Sequence, residues 1–86
     1  MIEIVVHEHA LKHDLSSREI EYAWRNFVVQ QHRASPDEDK ILAIGFDQMH
    51  RPVQMVARDQ GDRVLIYHAM TPPSEKVLRE LGMVRR

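Results

Sequence analysis

The densest chemistry in this chain lies between residues 7 and 13, where His7, His9 and His13 place three of the six histidines. In a helix, His9 and His13 are four apart and share one face, with Lys12 beside them. Imidazole exchanges protons near neutral pH and an ammonium group attracts anions, so the set suits acid–base work on an anionic substrate. The plainer reading is a solvated helix face, with Lys12 paired to Glu8 in a surface contact of about 0.3–0.5 kcal/mol. Zinc is disfavoured, because the chain has no cysteine and no carboxylate pattern completes the histidines into a ligand set. Neither a metal nor a cofactor is expected. Arg58 and Arg63 flank the Asp59–Asp62 turn, where local ion pairing is their ordinary role. His68 has the strand parity of Val64 and Ile66, which makes it a core histidine if that side is buried; Leu65 and Tyr67 share the other side.

These side chains need elements to hold them. Ile2 to Val6 is short and β-branched, a strand pattern. Residues 7 to 13 read as a short helix, and Asp14 to Ser16 break and restart the chain. Ser16 and Glu19 form a capping box for a second helix. Ile20, Ala23, Trp24 and Phe27 give that helix an apolar stripe of about three turns. Residues 28 to 33 fit a strand or an exit loop, and an acidic turn follows at Asp37-Glu38-Asp39. Lys40 to Phe46 reads as a central strand, Val53 to Arg58 as the next, and Arg63 to Ala69 as a third. The turn at Gly61 is a hairpin signal. Ser74 caps a last helix, Glu75 to Leu81, and Gly82 suits the position after its end. The expectation is one α+β domain over residues 1–86: an antiparallel β-meander with two N-terminal helices and one C-terminal helix packed on the sheet. Arg85 and Arg86 are expected to fray.

Composition narrows the function. Eighty-six residues make one small domain with a thin core. Lack of cysteine fits a reducing cytoplasm. No apolar run approaches a membrane span, and the N-terminus lacks a signal-peptide pattern, so a cytoplasmic protein without membrane contact is expected. The net charge of −1 argues against a surface that grips nucleic acid all over. No helix-turn-helix with a basic second helix appears, which disfavours a DNA-binding regulator.

The order of motifs resembles the BrnT-like toxins, within the wider RelE-like ribonuclease toxin group of type II toxin–antitoxin systems. Lys12-His13-Asp14-Leu15-Ser16 is similar to the family's Lys-His-Gly-(Ile/Val)-Ser segment. Glu19 to Trp24 is similar to its second helix, and Lys40 to Gly45 to its Arg-x-x-x-Ile-Gly strand. Leu65 to Ala69 resembles its last strand, with a Glu-bearing helix following. The likeness covers most of residues 7 to 81 in order and spacing. Asp14 stands in place of the family's glycine, which should alter the turn there, and Met70 stands where arginine is frequent.

The resemblance implies a RelE/BrnT-like domain and a metal-independent endoribonuclease, an mRNA interferase, with RNA as substrate and a cognate antitoxin as partner. Such cleavage needs one group to take the 2′-hydroxyl proton, one to protonate the leaving oxygen, and cations for the phosphorane charge. His9, Lys12, His13 and His68 are the catalytic candidates, and Arg58 and Arg63 the phosphate-binding ones, if the first helix packs over the strand ends. The alternative is a non-catalytic protein-binding module on the same fold with a degenerate site. A homodimer paired through an exposed edge, such as the first strand, is a third reading.

Overall fold

A computed structural model describes residues 2–33, 36 and 39–83, with the side chain of His13 outside that set. The elements are β1 (Glu3–Val6), a 3-10 helix (Glu8–His13), α1 (Ser17–Arg25), β2 (Phe27–His32), β3 (Lys40–Phe46), β4 (Pro52–Asp59), β5 (Arg63–Met70) and α2 (Glu75–Glu80). The five strands form one sheet in the order β1-β5-β4-β3-β2. Neighbours from β2 to β5 are antiparallel, whereas β1 runs parallel to β5, pairing Ile4 with Val64 and Val6 with Ile66.

One face of the sheet carries the main core. Ile41, Ala43, Val53, Met55, Ala57, Val64, Ile66 and Ala69 are buried there with Ala10, Leu15, Ile20, Ala23 and Trp24 from the 3-10 helix, α1 and their link. The helix comes unusually close at Gly45. A Cβ built on Gly45 would meet the Ala23 carbonyl oxygen at 1.9 Å, so only glycine lets the two backbones touch. On the opposite face, Ser74 donates its backbone N–H to Gln54 Oε1 at 2.9 Å. At the other end of α2, Arg33 Nη2 donates to Glu80 at 3.4 Å. These two anchors lay α2 over the side to which Leu42 and Ile44 point, and both are almost fully buried.

The expected RelE/BrnT-like arrangement therefore needs correcting. The sheet is mixed and five-stranded, not an antiparallel meander alone. Among the described residues there are two α-helices, on opposite faces, not two N-terminal helices and a third on one face. The first expected helix is a six-residue 3-10 helix, the tighter geometry common in short connectors. It ends at Asp14, whose φ of 60° is left-handed, a conformation that glycine adopts freely and aspartate tolerates. Thus the turn forms with aspartate in place. Residues 28 to 32 are strand, and Phe27 joins them because Asn26 ends α1 by donating its side-chain amide to Tyr22 O at 2.8 Å. Phe27 is consequently half exposed and not part of the helical stripe.

Both α-helix starts agree with the sequence reading. Ser16 and Glu19 complete the reciprocal capping box, and Ser74 Oγ accepts from Val77 N. At the end of α2, Met83 N bonds Leu78 O and Gly82 N bonds Arg79 O, a Schellman closure with Gly82 at φ 72°. The acidic-turn residues Asp37 and Glu38, and Arg85 and Arg86, lie outside the described residues. Among the described residues no helix is long and apolar enough to cross a membrane.

Candidate functional site

The site arises from one irregularity in β5. Ala57 pairs with Ile66, but Val56 pairs with His68, so Tyr67 is an extra residue in the ladder. A bulge of this kind resets the two-residue alternation of a strand and re-aims its side chains. Ile66 and Ala69 both face the main core. His68, opposite Val56, faces the α2 side and is half-buried. Uninterrupted parity placed His68 with Val64 and Ile66; one inserted residue reverses that.

Arg58 sits on the same face, paired with Lys40 on β3 and Leu65 on β5. Its guanidinium carbon lies 6.0 Å from the centroid of the Tyr67 ring, within cation–π reach, and its Nη1 donates to Asp39 Oδ2. Lys40, Arg58, Tyr67 and His68 thus form a basic, aromatic strip beside α2.

Hydrogen bonding fixes the state of His68. Gln54 Oε1 accepts the Ser74 backbone N–H, which can only donate, and the Ser74 hydroxyl lies 3.1 Å from the same oxygen. The Gln54 amide nitrogen must then point away, and it lies 3.1 Å from His68 Nε2. An amide NH2 only donates, so Nε2 accepts and neutral His68 carries its proton on Nδ1. Gln54 is itself nearly inaccessible. Gln54, Lys40 and Tyr67 are not among the site residues expected from the sequence; a glutamine inside the apolar run Val53-Gln54-Met55-Val56 is the signal for the first.

The other candidates lie elsewhere. His9 and Lys12 are exposed on the 3-10 helix, whose Ala10 is buried on the α1 face of the sheet. Three residues per turn eclipse His9 with Lys12; the His13 side chain lies outside the described residues. His7 Nδ1 accepts from His9 N at 3.1 Å, and the two rings meet edge-on at 4.5 Å, so His7 caps this helix. Arg63 contacts Asp62 at 3.4 Å and approaches Glu3 at 3.9 Å; it stands five residues from His68 along β5, about 17 Å of strand. The structure therefore brings Arg58 and His68 to one face, leaves Arg63 at the far end of it, and holds His9 and Lys12 on an element packed on the other. Among the described residues, no three His, Asp or Glu side chains gather closely enough to hold a metal.

A second polar cluster has a holding role. The nearly inaccessible Asp47 accepts the backbone N–H groups of Met49 and Arg51, each at 2.9 Å, and Arg51 Nε at 2.8 Å. Arg51 also donates to Glu19 Oε2 at 2.9 Å. Burial pushes the Asp47 carboxyl up, but the Arg51 and Met49 bonds outweigh it and the net displacement is downward. Glu19 is also lowered, chiefly by the Ser16 backbone N–H and then by its hydroxyl. The cluster ties the start of α1 to the β3–β4 turn.

No family model matches the chain, and no curated protein or solved structure matches it.

Proposed function

We propose that this protein is an RNA-cleaving toxin restrained by a cognate antitoxin, acting on RNA along the strip formed by Lys40, Arg58, Tyr67 and His68. The observation that supports RNA as the substrate is the β5 bulge, which turns His68 onto the face of Arg58. The toxin setting rests on the ordered resemblance of residues 7 to 81 to the BrnT-like toxins.

The strip supplies the base and the phosphate-binding groups, and solvent supplies the acid. Arg58 and Lys40 meet phosphate oxygens, Arg58 through its planar fork. Its present ion pair with Asp39 is about half exposed on both sides and worth only about 0–1 kcal/mol, so a phosphate displaces the aspartate at little cost. Tyr67 offers a face on which a base stacks. The lone pair of His68 Nε2, now capped by the Gln54 amide, is where a 2′-hydroxyl proton goes. The freed 2′-oxygen attacks phosphorus, the bond from phosphorus to the 5′-oxygen breaks, and that oxygen takes a proton from solvent. A 2′,3′-cyclic phosphate remains. His9, Lys12 and His13 take no part in this scheme.

The test is induction of the gene without a partner, followed by assay of purified protein on RNA. Wild-type protein arrests growth and cleaves RNA with chelator present; His68→Ala does neither, while His9→Ala does both. Unimpaired growth together with intact RNA removes the proposal.

One observation favours a non-catalytic binding module: Arg58 and His68 are already engaged, by Asp39 and Gln54. That reading requires a partner complex whose affinity survives His68→Ala and an RNA that stays whole at every protein concentration.

A further inference from the structure

The two edges of the sheet are unlike. β1 is four residues long and carries Glu3, and Arg18 and Glu21 of α1 line the cleft along it. Shortness and charge are the usual protections of an edge strand. β2 has neither. It is six residues long, reads Phe-Val-Val-Gln-Gln-His without an Asp, Glu, Lys or Arg, and lies mostly exposed. Among the described residues no strand pairs with its outer side.

We infer that β2 pairs with β2 of a second copy of this chain, antiparallel across a two-fold axis, to give a continuous ten-stranded sheet. The occupant must be an extended strand, because what the edge offers is a row of backbone donors and acceptors. The side chains select a second copy. Residues directly opposite in an antiparallel pair lie on the same face. A two-fold axis across β2 must therefore fall on one residue facing its own copy. Within the regular ladder beyond the bulge between Phe27 and Val29, the central residues are Gln30 and Gln31, both exposed. An amide carries a donor and an acceptor and so bonds its own twin. A lysine or glutamate there would confront a like charge. The rest of the strand brings no Asp, Glu, Lys or Arg to the seam, so no such pair of like charges opposes the two copies across it.

This two-fold keeps both α2-side faces on one side of the dimer. The two β5 strands then stand seven strand spacings apart, about 34 Å. The inference does not depend on RNA cleavage, since its readout is mass.

The test uses full-length protein and two double variants, Gln30→Lys/Gln31→Lys and Gln30→Glu/Gln31→Glu, each checked for native circular dichroism. Light scattering on wild type gives the mass of a dimer, and each variant alone gives a monomer. Mixing the two variants restores a dimer, which native mass spectrometry reads as one copy of each. A wild-type monomer up to millimolar concentration overturns the inference. So do variants that remain dimeric alone, or a mixture that stays monomeric.

Discussion

Replacing Gly45 by alanine tests the packing that sets α1 on the sheet. The added Cβ would stand 1.9 Å from Ala23 O, 2.8 Å from Ala23 C and 3.2 Å from Phe27 Cα, where ordinary contact begins at 3.4 Å. All three obstacles are backbone, so no side chain can swing aside. α1 must withdraw by about 1.5 Å, which loosens Ile20, Ala23 and Trp24 against β3 and β4. Overpacking of a core costs about 1–3 kcal/mol and more where backbone must move, so about 3 kcal/mol is expected after a small gain from losing glycine's freedom in the unfolded chain. At about 4–8 °C per kcal/mol for a domain of this size, Tm falls by about 12–24 °C. Thermal and urea unfolding followed by circular dichroism measure it. Gly61→Ala is the companion variant: φ is +89° and nothing lies within 4 Å, so it carries only the conformational cost of about 1–2 kcal/mol. If Gly45→Ala melts within about 3 °C of wild type, well inside the shift of a single kcal/mol, the close approach of helix and strand is wrong.

Three further outcomes follow from the polar contacts. Asp47→Ala leaves the Met49 and Arg51 backbone N–H groups without their acceptor and should cost about 2–4 kcal/mol in urea unfolding; a loss below half a kcal/mol contradicts the bonding described. Glu19 and Asp47 hold protons more weakly folded than unfolded, so their stabilisation is complete above the ordinary carboxylate range and is lost as pH falls through it, from about pH 5 downward. Glu19→Gln with Asp47→Asn should flatten that acid limb, and an unchanged limb would assign it to other groups. Gln54→Leu removes the donor to His68 Nε2, so imidazole 15N shifts in neutral protein should move from the Nδ1–H tautomer toward a mixture; an unmoved spectrum means Gln54 does not set the tautomer.

What was legible in the sequence was local. The capping box at Ser16, the Ser74 cap with Gly82, and the strands around Ile41–Gly45, Val53–Ala57 and Val64–Ile66 are each decided by neighbours within a few residues. What was not legible depends on distant partners. Parallel pairing of Ile4 with Val64 joins segments sixty residues apart, and nothing in Ile2–Val6 names its neighbour. The bulge at Tyr67 is a property of the β4–β5 register, so alternation counted along β5 alone put His68 on the wrong side. Residues 8 to 13 carry helical spacing, but buried Ala10 and the left-handed Asp14 leave room only for a tighter turn. Of the site candidates, the face shared by Arg58 and His68 required the register, whereas the pairing of Arg63 with Asp62 was readable from adjacency.

The central claim is that His68, turned by the bulge onto the Arg58 face, takes the 2′-hydroxyl proton of RNA. Single-turnover cleavage of an oligoribonucleotide in chelator, comparing wild type, His68→Ala and His9→Ala/Lys12→Ala, tests it most directly. Wild type should release a 2′,3′-cyclic phosphate product, His68→Ala should lose at least about 100-fold in rate, and His9→Ala/Lys12→Ala should change little. Equal rates for wild type and His68→Ala, or a collapse confined to the His9/Lys12 variant, would contradict it.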